Sequence, residues 1–322
     1  MEIICDVLNL RKFKSCKLKK IKIKRWQFHG KNVKITIIMD KYRDEDEQIM
    51  KNQVITIGNR NFEIGKHPYV MGILNVTPDS FSDGGRYGDL DAALKHTEEM
   101  IRDGADIIDV GGESTRPGHV KISVAEEIER TCFVIEAIKE RFEIPVSLDT
   151  YKYQVAQAGI LAGADLINDI WGFKWDDEMA PLCAKYQIPV CLMHNRKEAV
   201  YNDFIADVIA DMKECVQIAR ASGLADDKII LDPGIGFAKT TEENLKFMNH
   251  LEELVALGYP VLLGTSRKSM IGNTLNLPVD EREEGTMATS VLGLVKGCSF
   301  FRVHDVKKNV RVLAMTDAML KA

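Results

Sequence analysis

The sequence predicts an α/β fold: a TIM (βα)8 barrel with an N-terminal β-hairpin that closes its bottom. One pattern recurs eight times from Tyr69 onward, in which a short apolar run is followed by a longer segment with helical apolar spacing. The apolar runs are, in chain order, YVMGIL, DIIDV, IPVSLD, DLINDI, IPVCLMH, KIILDP, YPVLLG and SFFRVHD. Because they are continuous rather than alternating, they indicate strands covered on both faces, as in a parallel sheet with crossover helices. Eight such units favour a barrel.

An open, doubly wound sheet is the alternative, since it also alternates strands and helices. Its nucleotide-binding form usually carries G-x-G-x-x-G after the first strand, whereas NVTPDSFSDGG follows the first run here. Ahead of the barrel, VITIGNRNFEIG at 54–65 is predicted to form two short strands around a Gly-Asn-Arg-Asn turn. We expect this hairpin to lie under the barrel.

The chain is predicted to have two regions, a basic N-terminal extension at 1–52 and the barrel at 53–322. The extension contains FKSCKLKKIKIKRW and then the acidic stretch DKYRDEDEQ. Charge runs of this kind are more often solvated and weakly ordered than functional. We therefore expect the extension to be poorly ordered, or the true start to be Met50. The alternative is an arm that binds nucleic acid, which salt-dependent binding would reveal.

Composition excludes several classes of protein. The 322 residues are 45% hydrophobic and 28% charged, which is ordinary for a globular chain with a large core. The net charge of -5 argues against a nucleic-acid binder, and no apolar run approaches the roughly 20 residues of a membrane helix. The seven cysteines form no C-x-x-C pair, so we expect reduced, mostly buried thiols. Without a signal peptide's apolar core, the chain is predicted to be cytoplasmic.

Polar residues follow the apolar runs at the expected carboxyl-terminal face of the barrel, where such folds carry their active sites. Asp149, Asn168, Asp232 and Lys268 come from four different strand ends. A carboxylate can accept two hydrogen bonds from one planar donor edge. This ring of side chains therefore suits a flat heterocycle with an amino-pyrimidinone edge.

A second group of residues suits an anion and a cation. Arg302 and His304 lie two residues apart on one run, so both can face the same side and hold an anion. Asn75 offers a neutral oxygen to Mg²⁺, which keeps most of its waters and is usually shared with substrate phosphates. Together they indicate a diphosphate. His194, by contrast, is expected to be a satisfied interior histidine.

The motifs that the sequence lacks narrow the reaction. It contains no G-x-S-x-G elbow, no H-E-x-x-H and no G-x-x-x-x-G-K-[ST] loop, so covalent catalysis is not indicated. Charge, hydrogen bonds and a cation suit the departure of a stabilised leaving group while the enzyme orients a nucleophile. The loops NVTPDSFSDGG and GESTRPG can close over such a reaction and exclude water.

Seven motifs in order from Met71 to Val306 carry a resemblance to a known family. They are MGILNVTPDSFSDGG, DVGGESTRPG, SLDT, GADLINDI, LDPGIGFAKT, GTSRKSMIG and RVHDV. The sequence closely resembles the dihydropteroate synthases, pterin-binding enzymes of folate synthesis and targets of sulfonamides. The resemblance implies that p-aminobenzoate displaces diphosphate from 6-hydroxymethyl-7,8-dihydropterin diphosphate, with Mg²⁺ present, to give 7,8-dihydropteroate. It also implies a homodimer with small-molecule substrates.

The resemblance further implies a role for each matching residue. Asp83 would stabilise a cationic pterin methylene and would be catalytic together with Asp149 and Lys268. The expected pterin-binding residues are Asp149, Asn168, Met193, Asp232 and Lys268. The expected ligands of the diphosphate are Thr115, Arg302 and His304, and Asn75 would bind the metal. The expected p-aminobenzoate-binding residues are Phe81, Arg116, Pro117 and Ser269.

Two related functions remain as alternatives. Pterin-binding methyltransferases share the aspartate-asparagine-aspartate ring, but they need no diphosphate pair, so Arg302, His304 and Arg116 argue against them. A catalytically silent homologue that serves a partner protein would be expected to have lost loop or diphosphate residues, and none of the positions named above is lost.

Overall fold

The computed structural model describes residues 53–76, 85–113 and 121–322, together with two strands near the N-terminus. The chain divides into two compact units, Met1–Glu47 and Gln48–Ala322. Within the first unit, β1 (Lys24–Phe28) pairs antiparallel with β2 (Lys31–Ile35). The predicted boundary at residue 52 and the predicted poor order of 1–52 fall largely outside the described residues, so they stay predictions.

Twelve strands are described in all. After β1 and β2 they are β3 (Val54–Ile57), β4 (Arg60–Glu63), β5 (Tyr69–Asn75), β6 (Ile107–Gly111), β7 (Val146–Asp149), β8 (Leu166–Asp169), β9 (Val190–Met193), β10 (Ile229–Asp232), β11 (Leu262–Leu263) and β12 (Phe300–Val303). Each of the eight apolar runs forms one of the strands β5 to β12.

Ten α-helices are described, and they alternate with these strands. They are α1 (Gly85–Arg102), α2 (Val124–Arg141), α3 (Tyr153–Ala162), α4 (Met179–Tyr186), α5 (Phe204–Ala221), α6 (Thr241–Met248), α7 (Leu251–Val255), α8 (Ser269–Leu275), α9 (Glu283–Val295) and α10 (Val306–Leu320). None of the helices within the described ranges is long and apolar enough to cross a membrane.

The strands β5 to β12 form one parallel sheet in the order β10-β9-β8-β7-β6-β5-β12-β11. A parallel bridge from Leu231 to Val261 joins the two ends of this sheet, so it closes into a barrel. The predicted (βα)8 barrel is confirmed, and the open doubly wound alternative is wrong. All eight strand ends therefore meet around one opening.

The N-terminal hairpin seals the other end of the barrel. Its strands β3 and β4 pair antiparallel, with Ile57 opposite Arg60. Its apolar side chains are buried in one cluster with the first inward-facing residues of the barrel strands. The cluster consists of Ile55, Ile57, Phe62, Ile64, Tyr69, Met71, Ile107, Leu166, Cys191, Ile230, Leu262 and Phe300. The prediction of a hairpin that closes the bottom is confirmed.

Alternation along the strands separates the two faces of the barrel wall, because successive side chains point to opposite sides. On β6, for example, Ile108 and Val110 pack outward with the helices, whereas Ile107 belongs to the sealed bottom. The next inward position after Ile107 is Asp109, which is fully buried. The interior thus changes from apolar at the bottom to polar above it, and this change positions the site.

Helix caps fix the chain where it leaves the rim. The Ser123 side chain accepts a hydrogen bond from the Glu126 N–H at the start of α2. Thr240 and Glu243 form a reciprocal capping box at the start of α6. The five described cysteines are free, and four of them are buried, as expected for reduced thiols.

Candidate active site

A cluster of ions from three strands forms the polar floor of the barrel. Arg302 on β12 donates from Nε to Asp109 Oδ2 at 2.6 Å and from Nη2 to Asp149 Oδ2 at 2.8 Å. Asp109 on β6 also accepts a hydrogen bond from Ser147 Oγ at 2.5 Å. The Asn168 amide nitrogen lies 3.4 Å from each oxygen of Asp109. One guanidinium thus sits between two buried carboxylates.

Asp149 keeps one oxygen free at the end of β7. Among the described residues, its Oδ1 is buried and has no hydrogen-bond partner. Burial raises the pKa of Asp149 to about 7, with Arg302 opposing the shift and Asp109 adding to it. An unpaired buried acceptor is costly for the protein alone. A ligand that donates a hydrogen bond to Asp149 Oδ1 would remove this cost.

Arg302 was predicted to hold an anion, and here its guanidinium faces Asp109 and Asp149. Its proximity to these carboxylates raises its pKa, although burial acts in the opposite direction. A diphosphate at this position would have to share the guanidinium with the two aspartates. Its role toward an anion therefore stays a prediction, while its role in the floor is an observed contact.

Replacing Arg302 by Met should lower the free energy of unfolding by about 3–5 kcal/mol, because the buried carboxylates of Asp109 and Asp149 lose the guanidinium that contacts both of them. Urea unfolding at pH 8 measures this loss. Arg311→Met on the exposed side of α10 is the matched control and should change stability by no more than about 0.5 kcal/mol. Equal small losses in both variants would contradict the assignment of Arg302 as the counter-ion of the floor.

Lys268 and Asp232 form a second charged edge. Lys268, directly before α8, donates from Nζ to the carbonyl of Ile235, and the Phe237 ring lies 4.4 Å from the same Nζ. Burial lowers the pKa of Lys268 to about 8, with the Asp232 carboxylate opposing the shift. Burial likewise raises the pKa of Asp232, whose Oδ1 accepts the Gly234 N–H at 2.6 Å.

Apolar side chains stand beside these charges. Met193 at the end of β9 is buried in a cluster with Tyr151 and Ile170, and Trp171 and Phe237 pack against that cluster. A flat ring can lie against such a wall while its polar edge faces the carboxylates. Met193 lies next to Asp232, with which it pairs across β9 and β10, and its role toward the pterin stays a prediction.

The rim carries the residues expected to meet the rest of the substrates. Asn75 ends β5 with an exposed side chain, and its Oδ1 and Asp149 both border Gly111 at the end of β6. His304 follows β12, and its Nδ1 lies 2.9 Å from Ser266 Oγ. Ser269 is exposed at the first position of α8. These three residues lie above the buried floor.

Asn75 is a single neutral oxygen donor, and no group of three or more His, Cys, Asp or Glu side chains within the described ranges could hold a metal by itself. This donor set fits Mg²⁺ held mainly by phosphate and water, which is the usual way proteins share that ion. It does not fit an ion held by the protein alone.

His194 is a satisfied interior histidine, as predicted. It is fully buried after β9, with Nε2 2.9 Å from Asp211 Oδ2 and Nδ1 2.7 Å from Lys239 Nζ. Burial lowers the pKa of His194 to about 4, so it is neutral near pH 7. Arg196 Nε adds a second contact to Asp211 at 2.6 Å.

Five predicted site residues lie outside the described residues: Phe81, Asp83, Thr115, Arg116 and Pro117. Their assigned roles stay predictions. The other predicted residues are described. The structure places Asp149 and Asp232 at the last positions of β7 and β10, and Asn168 one residue before the end of β8, around one opening. Lys268 reaches the same edge from the turn after β11.

Sequence reasoning missed Asp109 and the contacts around Lys268. The signal for Asp109 was an aspartate in the middle of the apolar run DIIDV. A further buried network beside the site was also missed: Lys152 Nζ lies 2.8 Å from Glu113 Oε2 and 2.6 Å from Glu127 Oε2. The signal for this network was weaker. Glu127 lies in the first turn of α2, where acidic residues are common because they stabilise a helix N-terminus.

The arrangement can bind a planar ligand that offers N–H donors and one acceptor. Asp149 and Asp232 supply acceptors, and Lys268, on the same edge as Asp232, supplies a cationic donor. The buried carboxylates also favour positive charge that develops on a bound ring. None of Asp149, Asn168, Asp232 and Lys268 carries a hydroxyl or thiol nucleophile, so this ring of side chains orients reactants and stabilises charge.

Comparison with known proteins agrees with this site. The pterin binding enzyme family matches residues 71–304. A dihydropteroate synthase of Clostridium beijerinckii is 60% identical over 266 residues, which cover 82% of this chain and 99% of that protein. The solved dihydropteroate synthase of Clostridium difficile, crystallised with pteroic acid, is 47% identical with a TM-score of 0.79, covering 81% of this chain and all of that one.

A third similar protein was solved with a different small molecule. The dihydropteroate synthase of Xanthomonas albilineans with 4-aminobenzoic acid is 37% identical with a TM-score of 0.80, and the match covers 84% of this chain and 99% of that one. The family match spans the barrel strands from β5 to the residue after β12. This chain therefore belongs to the pterin-binding enzyme family, and within it to the dihydropteroate synthases.

Proposed function

We propose that this chain condenses 6-hydroxymethyl-7,8-dihydropterin diphosphate with p-aminobenzoate, giving 7,8-dihydropteroate and diphosphate. The observation that carries the proposal is the free, buried Oδ1 of Asp149, which faces no donor among the described residues. The amino and ring N–H groups of a pterin are donors of the kind it lacks. The similar structures solved with pteroic acid and with 4-aminobenzoic acid support both halves of the reaction.

The described residues act by binding and by charge. Asp149, Asn168 and Asp232 hold the donor edge of the pterin, and Lys268 donates to an acceptor of the ring. As the C–O bond to diphosphate breaks, positive charge develops on the pterin methylene, which the buried carboxylates stabilise. The amine of p-aminobenzoate then forms the C–N bond and loses one proton. Ser269, exposed at the start of α8, can meet p-aminobenzoate at the rim.

The leaving group departs above the floor. Asn75 would contribute one oxygen to a Mg²⁺ ion, and His304 and Arg302 would hold the diphosphate beside it. When bound, the metal supplies charge neutralisation for the departing diphosphate. The side chain of Asn75 is exposed at the end of β5, so it can reach a ligand shared with water and phosphate.

The pH dependence of kcat/KM for the pterin substrate should be bell-shaped. Asp149, with its pKa raised to about 7, accepts hydrogen bonds when ionised, so activity falls as pH drops through that value. Lys268, with its pKa lowered to about 8, donates when protonated, so activity falls again as pH rises through that value. Because the groups interact, the two apparent values belong to the site as a whole. A flat profile between about pH 5 and 7 would contradict the role of Asp149.

The chain is further proposed to act as a cytoplasmic homodimer. Met315, Met319 and Leu320 on α10 are 60%, 60% and 55% exposed, and the two methionines lie four residues apart on one helix face. Exposed apolar patches of this kind mark interaction surfaces. Light scattering should give twice the chain mass, and Met315→Glu with Met319→Glu should halve it. Leu161→Glu on α3, also exposed, should leave the mass unchanged.

Diphosphate release by the purified chain tests the reaction. We expect release from the dihydropterin diphosphate with Mg²⁺ only when p-aminobenzoate is present, and the same rate from a chain that begins at Met50. Pterin binding without release would favour a silent homologue. Methyl transfer from methyltetrahydrofolate to a corrinoid protein would favour the methyltransferase class instead.

A further inference from the structure

Lys239 is a charged residue that the reaction described above does not use. It lies between β10 and α6, and its Nζ has three acceptors: His194 Nδ1 at 2.7 Å, the Gly234 carbonyl at 3.0 Å and the Phe237 carbonyl at 3.1 Å. An ammonium group has three donors, so this set satisfies all of them. The lysine thus ties both ends of the segment 234–237 to one point.

The segment 234–237 surrounds the side chain of Lys268. The Ile235 carbonyl accepts from Lys268 Nζ, and the Phe237 ring lies 4.4 Å from that atom. A Cβ at Gly236 would lie only 3.0 Å from Lys268 Cδ, so the backbone approaches the stem closely. The position of Lys268 Nζ therefore depends on the conformation of this segment.

That conformation is not one the chain adopts readily. Gly234, Gly236 and Ala238 all have left-handed backbone angles, with φ of 64°, 86° and 45°. For Ala238 this angle is unfavourable, so surrounding contacts must maintain it. The Asn244 side chain accepts the Gly236 N–H at 2.7 Å and donates to the Thr240 carbonyl at 2.7 Å. Tyr201 Oη donates to the Ala238 carbonyl at 2.7 Å, and Lys239 contacts the carbonyls of Gly234 and Phe237.

A chain of hydrogen bonds connects Lys239 through His194 to Asp211. His194 is neutral near pH 7, so its Nδ1 can accept from the ammonium only if Nε2 carries the proton. Nε2–H then donates to Asp211, which also pairs with Arg196. Burial lowers the pKa of Lys239 to about 7, with the Asp232 carboxylate opposing the shift, so Lys239 is an ammonium below that pH. There the neutral imidazole links the Lys239 cation to the Asp211 anion. This joins the loop after β9 to the loop after β10.

We propose that Lys239 is a positioning residue for the pterin site, whose ammonium holds the segment 234–237 around Lys268 and so fixes the direction of the Lys268 donor. The proposal rests on the synthase function proposed above and deepens it. Lys239 itself does not touch the substrate. Its effect on pterin binding passes through Lys268.

A double-mutant cycle between Lys239→Met and Lys268→Met tests this dependence. The measurement is the calorimetric Kd for 6-hydroxymethyl-7,8-dihydropterin diphosphate in the full-length chain. We expect Lys239→Met to raise Kd about tenfold when Lys268 is present and less than about twofold when Lys268 is already replaced. Lys246→Met is the matched control, because Lys246 is an exposed lysine on the next helix, and it should leave Kd unchanged.

Lys239→Gln provides a second variant if Lys239→Met does not fold. An amide keeps two of the three donors, so Kd should lie between those of the wild type and Lys239→Met. Equal fold-changes for Lys239→Met in both backgrounds would overturn the proposal, since a general loss of structure acts independently of Lys268. An unchanged Kd would overturn it as well. A wild-type chain that does not bind the pterin diphosphate would instead overturn the proposed function.

Discussion

Lys268→Met should lower kcat/KM for the pterin substrate by about 10³, because it removes the cationic donor that Lys268 offers beside Asp232. The methionine keeps an apolar stem beside Gly236 and Phe237, so packing changes little. It also removes an ammonium whose burial is unfavourable, as its lowered pKa indicates. The loss should therefore be catalytic rather than structural.

Steady-state diphosphate release and thermal unfolding together measure the effect of Lys268→Met. The expected result is a large loss of kcat/KM with a midpoint of unfolding within a few degrees of the wild type. Lys268→Arg is an informative companion, because it keeps the charge but changes its geometry. Wild-type turnover in Lys268→Met would show that the pterin does not use this donor.

Asp149→Asn is the second variant with a large expected effect. The substitution keeps the size of the side chain but replaces one acceptor oxygen by a donor, which then faces the donors of the pterin. We expect kcat/KM to fall by about 10²–10³, since binding and charge stabilisation are both lost. Asp227→Asn is the control. Asp227 is an exposed aspartate before β10, at the opposite end of that strand from Asp232, so this variant should retain full activity.

Asp149→Asn should also change how stability depends on pH. In the folded chain the pKa of Asp149 is raised to about 7, above its value in the unfolded chain. The folded state therefore holds this proton more tightly, and that contribution to stability is lost as pH rises through about 7. Urea unfolding from pH 5 to 8 should show a weaker decline in the asparagine variant. An identical decline in both proteins would contradict the raised pKa.

The fold was predictable because its signals are local and repeated. Every barrel strand is a continuous apolar run, and the hairpin at 54–65 carries its own turn. The location of polar residues at strand ends was predictable, as at Asp149 and Asp232, which end β7 and β10, and at Asn168, one residue before the end of β8. A strand end in a parallel barrel has a known location, whatever its partners are.

Pairings between distant parts of the chain were not predictable. Arg302 and Asp109 are 193 residues apart, and only the closure of the barrel brings them to 2.6 Å. The sequence indicated that Arg302 could hold an anion, but it could not show that two aspartates of the same protein occupy that guanidinium. Similarly, Lys239 in GFAKT has no neighbour in sequence that indicates His194 as its partner.

Because the bottom of the barrel is sealed, substrates and products share one opening, and this affects the order in which they bind and leave. Because apolar side chains of the hairpin fill that end, the carboxyl-terminal opening is the one passage that the described barrel offers to the floor. Asp149 and Asn168 lie deep in this passage, whereas Ser269 lies at its exposed edge. With Asp149 and Asn168 binding the pterin and Ser269 meeting p-aminobenzoate, as proposed above, we expect the pterin to arrive before p-aminobenzoate covers it. On the same assignments, dihydropteroate leaves with its pterin end last. Its release reopens the passage for the next pterin substrate.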